Sequence, residues 1–236
     1  MEPARDLERR ISGIAALDQP LRRDLDRLLS DRGGWVTRDE ASEALGVPRS
    51  VAAFHLDKLE EAGVVEVTFA RTSGRQGPGA GRPAKLYRRS DTEVSASVPD
   101  RRYDLAGSLM ASAIADAERT GAPVGECLGA SARAAGRAIG REAAEATERL
   151  TSRAARRSAV LDVLSRHGYE PTMVDPDEIA LVNCPFHRLA EEHRNLVCGM
   201  NLDLLTGVLD GMGAPERSDA RLAPEPGYCC VRITAG

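Results

Sequence analysis

Two cysteines and two histidines fall within the stretch Asn183–Met200, NCPFHRLAEEHRNLVCGM, and two adjacent cysteines follow in GYCCVRI near the end. Four of the five cysteines, Cys184, Cys198, Cys229 and Cys230, thus lie in the last 53 residues. Thiols at such positions bind metal, undergo redox chemistry, or pack as small hydrophobes. Their spacing discriminates among these. Structural zinc sites usually draw on closely spaced pairs such as C-x2-4-C. Here thirteen residues separate Cys184 from Cys198, and thirty separate Cys198 from Cys229. A widely spaced set suits an iron–sulfur cluster, which is large and takes thiolates from separate elements. Proline after Cys184 is a frequent neighbour of cluster cysteines. A zinc site completed by His187 or His193 is the rival arrangement. Cys127, isolated in a helical pattern, reads as core.

The elements around these cysteines are short. EIALVN reads as a strand, PFHRLAEEH as a helix opened by Pro185, CGMNLDLLTGVLDGMG as a second helix, and GYCCVRI as a final strand. On that strand, side-chain alternation groups Cys229 with Val231 and Ile233 on the apolar face. Cys230 falls with Tyr228 and Arg232 on the other. Cys229 is therefore the expected ligand, and Cys230 is expected to be dispensable.

Upstream, the Ala- and Arg-rich segment from Arg101 to His167 predicts three helices, 101–120, 123–149 and 153–167. GASARAAGRAIG sets Gly129, Gly136 and Gly140 among alanines, which permits a close helix approach without naming the partner helix.

The first ninety residues predict a DNA-binding unit. PLRRDLDRLLSDRGG repeats leucine at helical spacing and stops at a glycine pair. Thr37 and Glu40 form a capping box for a helix ending at Gly46, and a second helix runs from Pro48 to about Ala62. Two short helices across a tight turn are a helix-turn-helix, whose second helix enters the major groove. Its outward residues are Arg49, Ser50, Ala53, Phe54 and Lys58; Arg49 suits a guanine edge, and Ser50 and Lys58 suit phosphates. His55 is expected to be packed and hydrogen-bonded. VVEVTFA, the basic Gly-rich RTSGRQGPGAGRP and AKLYRR read as strand, loop and strand, a wing whose Arg75, Arg82 and Lys85 reach DNA. The glycines match neither a P-loop nor a dinucleotide fingerprint.

Charge fits this division. Between Val67 and Ser90 there are six cations and no acid, whereas residues after Ser90 carry a net charge of −6 within a chain of net −4. A local cationic strip on an acidic chain points to a polyanion. The polar start MEPARDLERR and the lack of a long apolar run predict a cytoplasmic protein without membrane contact. There, cysteines are seldom locked in disulfides.

The helix-turn-helix through GAGRPAKLY, followed by NCP, VC and GYCC, resembles the SufR-like winged-helix iron–sulfur regulators over nearly the whole chain. This resemblance implies a homodimer on palindromic promoter DNA and a cluster held by three C-terminal cysteines, which map to Cys184, Cys198 and Cys229. The chain departs from the pattern in its extra Cys230, in His187, and in one more residue between the first two ligands. The expected fold is mainly α with α+β parts. It comprises a winged helix-turn-helix domain (1–90), a linker and helical dimerisation region (91–168), and a small α/β sensor domain (169–236). The expected function is a non-enzymatic transcriptional repressor controlled by an iron–sulfur cluster, [4Fe–4S]. The alternatives are a zinc or thiol-redox winged-helix regulator, and a cysteine-based redox enzyme tethered to DNA. No C-x-x-C pair or nucleophile–base constellation supports the enzyme.

Overall fold

The structure, a computed structural model, describes residues 2–71, 83–146, 152–213 and 219–234. It divides into two compact units, Met1–Ala96 and Ser97–Gly236.

The first unit contains α1 (Glu2–Ala16), α2 (Pro20–Arg32), β1 (Val36–Thr37), α3 (Arg38–Leu45), α4 (Arg49–Glu61), β2 (Val65–Ala70) and β3 (Ala84–Arg89). The expected capping box is present: Thr37 Oγ1 accepts from Glu40 N at 3.1 Å, and Glu40 Oε2 accepts from Thr37 N at 2.7 Å. Gly46, at φ 63°, turns the chain from α3 into α4 in the left-handed region that favours glycine. The buried face of α4 is Ala52, Leu56 and Leu59, which joins Leu25 and Leu29 of α2 and Tyr87 of β3 in one core. Helix α1 and the two-residue β1 were not foreseen. Strand β1 adds to the expected hairpin and gives an antiparallel sheet of order β1-β3-β2. The wing arms pair from Val65 with Arg89 to Ala70 with Ala84.

The second unit contains α5 (Tyr103–Thr120), α6 (Val124–Glu145), α7 (Arg153–Arg166), β4 (Pro171–Asp175), β5 (Glu178–Leu181), α8 (His187–Glu192), α9 (Arg194–Gly211), β6 (Asp219–Leu222) and β7 (Val231–Thr234). Its sheet is antiparallel, of order β4-β5-β7-β6, and β4 and β6 are additions to the expected strands. Residues from the three middle helices and from the cysteine-bearing segment share a single core, which includes Leu109, Leu128, Val163, Phe186, Leu205 and Ile233. The helical region and the cysteine region therefore fold together.

Glycines decide how α6 and α9 meet. A Cβ on Gly136 would stand 2.0 Å from Leu204 O, and one on Gly140 2.2 Å from Val208 O. From the other side, Cβ atoms on Gly207 and Gly211 would stand 2.3 Å from Arg133 O and Arg137 O. Two G-x-x-x-G segments thus face each other with backbones in contact. The partner of the α6 glycines is α9 of the same chain. Among the described residues, no helix is long and apolar enough to cross a membrane.

Candidate functional site

Cys184, Cys198, Cys229 and Cys230 line one cavity of about 420 Å³, together with His187, Glu191, Arg194 and the 224–228 turn. Cys184 sits in the turn after β5, Cys198 in the second turn of α9, and the last pair just before β7. All four are free thiols.

Each is fixed by local bonding. Asn183 is buried, and its Nδ2 donates to Gly168 O at 2.6 Å and Asp100 O at 3.0 Å. Arg101 donates to Asn183 Oδ1 and, at 3.1 Å, to Cys184 O. These bonds explain the asparagine and the stiff turn of the NCP triplet. Cys229 N donates to Leu181 O at 2.8 Å, and Ala223 N donates to Cys230 O at 2.8 Å, so the cysteine pair is pinned between the ends of β5 and β6. Arg232 is buried, ion-paired to Glu225 and stacked 4.5 Å from the Tyr228 ring centroid, which holds the turn that walls the cavity.

One expectation is corrected here. The strand starts only at Val231, so the alternation that separated Cys229 from Cys230 does not apply to them. Cys230 faces the same cavity and contacts the thiols of both Cys198 and Cys229, and Cys229 also contacts Cys184. The four thiols thus form a chain in the order 184, 229, 230, 198. Cys127 is apart from it and buried in the core, as expected.

The environment favours the protonated thiol at Cys184, Cys198 and Cys229. Cys184 is raised far above the ordinary thiol range by its contact with Cys229 and by burial. Cys229 is favoured as a thiolate by Cys184, but its contact with Cys230 and its burial outweigh this and push it up to about 12. Cys198 is raised chiefly by burial. Crowded protonated thiols that share a cavity gain when a cation removes their protons. Donors toward the sulfurs are already in place: Phe186 N–H for Cys184, Val231 N–H for Cys229, and Asn201 Nδ2 for Cys229 at 3.3 Å.

Donor chemistry, cavity size and pre-aimed N–H groups fit an iron–sulfur cluster, whose thiolates come from separate elements and whose sulfurs take hydrogen bonds. Among the described residues, no group of three or more His, Cys, Asp or Glu side chains is arranged to hold a single metal ion. His187 lines the cavity and bonds to Glu191 at 3.3 Å. His193 is exposed at the junction of α8 and α9 and lies outside the cavity lining.

At the other end of the chain, α4 exposes Arg49, Ser50 and Phe54, while Ala53 and Lys58 are half-buried. Arg49 is ion-paired with Asp39. Lys58 bonds to Glu61 and lies 6.0 Å from the Phe54 ring centroid. Lys85, an expected DNA contact, bonds to Asp57 at 2.8 Å and to Glu60. Burial opposes its charge, yet those bonds prevail and push it up to about 12. Asp57 also accepts from Tyr87 OH at 2.7 Å and from Arg38 at 3.0 Å, so this network ties β3 to α4 and α3. Neither Asp57 nor Tyr87 stands out in the sequence, because the network spans three elements. His55 is half-buried as expected, but its Nδ1 is enclosed and has no partner among the described residues. Arg75 and Arg82 lie outside the described residues.

A helix-turn-helix domain family matches residues 17–68, from the start of α2 into β2. No curated protein and no solved structure matches the chain. The matched segment is a helix-turn-helix domain, in which α3 and α4 flank the Gly46 turn.

Proposed function

We propose that this chain is a transcriptional regulator, acting as a repressor, whose DNA affinity is set by an iron–sulfur cluster, [4Fe–4S], in the second unit. The observation that carries this reading is the convergence of four cysteines from three separate segments on one cavity. A cavity of that size accommodates a group larger than one ion, which favours a cluster over zinc. Cys184, Cys198 and Cys229 are the proposed ligands. Cys230, on the same wall, precedes His187 as the source of a further ligand. Bound there, a cluster supplies one-electron chemistry and sensitivity to oxidants.

The protein's own contribution is to bring β5, α9 and the approach to β7 to one point and to offer N–H donors to the sulfurs. In the first unit, Arg49 and Ser50 at the exposed start of α4 are the proposed base and phosphate contacts, and the basic Gly-rich segment of the sequence, outside the described residues, is the proposed minor-groove contact. Two copies on an inverted repeat would double the few contacts that one helix makes. The middle helices are the proposed region of pairing, through surfaces other than the α6 glycines.

DNA selected from a random pool by anaerobically purified protein tests this reading. The selected sites should contain an inverted repeat and bind more weakly as salt rises. Affinity should differ between protein with and without iron and sulfide. Sequence-blind binding, or equal affinity in both states, would contradict it.

A further inference from the structure

Asn201 is the one asparagine of α9's buried face, with no exposure to solvent, and it lies one helical turn after Cys198. An amide in such a core is costly unless its bonds are met. They are met in a chain. The Tyr169 hydroxyl, also buried, donates to Asn201 Oδ1 at 2.5 Å, and Asn201 Nδ2 donates to Cys229 Sγ at 3.3 Å. Tyr169 follows α7, Asn201 belongs to α9 and Cys229 precedes β7, so the chain links three separate segments and ends on sulfur. The hydroxyl has a definite task. An amide can present either its oxygen or its nitrogen to a neighbour, and a donor at Oδ1 turns the Nδ2 side toward Cys229.

We propose that Asn201 is a positioning residue for the thiol site, with Tyr169 setting its orientation, and that this pair tunes whatever metal group Cys229 binds. The inference rests on the reading of Cys229 as a ligand. An N–H donor stabilises charge on the sulfur, and such outer contacts adjust both metal affinity and cluster potential. Asn201 thereby favours the thiolate over the thiol and the reduced cluster over the oxidised one. Packing alone would not need this chain, since a leucine and a phenylalanine fill comparable space.

The test uses full-length protein with Asn201→Leu, Tyr169→Phe and the double variant. Anaerobic reconstitution with iron and sulfide gives the midpoint potential, and loss of the sulfur-to-iron absorption on titration with a chelator gives the tightness of binding. Asn201→Leu should lower the chelator concentration at half-loss about 10–100-fold and move the potential to more negative values. Tyr169→Phe should shift both in the same direction by less, and should add nothing in the Asn201→Leu background. Wild-type affinity and potential in the single variants would overturn the proposal, even with lowered melting temperatures, because that pattern marks a packing role. Additive effects would overturn the part assigned to Tyr169. If wild-type protein bound no cluster, the ligand reading itself would fail, an outcome distinct from either.

Discussion

Side chains of the same type act differently here according to what surrounds them. Cys184, Cys198 and Cys229 share a cavity, while Cys127 fills space in the core. Serine at any of the first three positions should abolish the visible absorption of anaerobically prepared protein, and Cys127→Ser should leave it intact. The placement of Cys230 changes the expectation for that residue: Cys230→Ser should alter the spectrum, because its thiol touches two others. Arg49 poses a similar question at the proposed DNA face. It is shared between Asp39 and solvent, and an exposed pair of this kind is worth little. Arg49→Ala should lower discrimination at one base pair by about 1–3 kcal/mol, and Asp39→Ala should strengthen binding to all sequences; competition binding on selected and scrambled sites reads both. His167 gives a pH-dependent prediction. Burial first, then Arg102 and Arg166, lower its folded pKa to about 4, whereas the unfolded imidazole titrates near 6.5. The folded form therefore holds fewer protons in that window, and stability is lost as pH falls from about 6.5 toward 4. Between pH 7 and pH 5 the loss should be roughly 2 kcal/mol. Urea unfolding should show it in the wild type and much less of it in His167→Gln.

Among the elements, α6 and α9 carry the sharpest constraint. Even an alanine at Gly136 would place its Cβ inside the van der Waals shell of α9's backbone, so Gly136→Ala should cost about 2–3 kcal/mol. Gly107 on α5 has open space around its Cβ position, and Gly107→Ala should be neutral or stabilise by about 0.5–1 kcal/mol. The midpoint of urea unfolding separates the two. The glycine run was readable in the sequence as a close approach, but its partner was not, because the second G-x-x-x-G segment lies some seventy residues later. Local signals served well elsewhere: the Thr37–Glu40 box, the Gly46 turn and the three middle helices all stand where their caps and breaks place them. The failures share a cause. Strands β1, β4 and β6 are two to five residues long and carry no periodicity of their own. Their pairing is decided by neighbours far along the chain. Strand alternation misplaced Cys230 for the same reason, since the ladder that would enforce it begins one residue later. The acidic partners of Lys85 were out of sight for the same reason, since they lie on α4, 25 and 28 residues before it.

At the scale of the whole molecule, a helix-turn-helix domain and a thiol-lined cavity occupy two separate compact units. The charge distribution agrees with that division, with cations concentrated around the wing and a net negative charge after Ser90. The cavity was legible as a meeting of three cysteines from their spacing, whereas Asn183, Arg101 and Asn201 became visible only once the segments that carry them were brought together. The central claim is that the cavity holds a cluster, and elemental composition tests it most directly. Full-length protein purified without oxygen should contain iron and acid-labile sulfide in equal amounts, four of each per chain for a [4Fe–4S] cluster (about four, allowing for partial loading), and little zinc. One zinc per chain with no sulfide would contradict the claim and assign the cavity to a Cys/His zinc site instead.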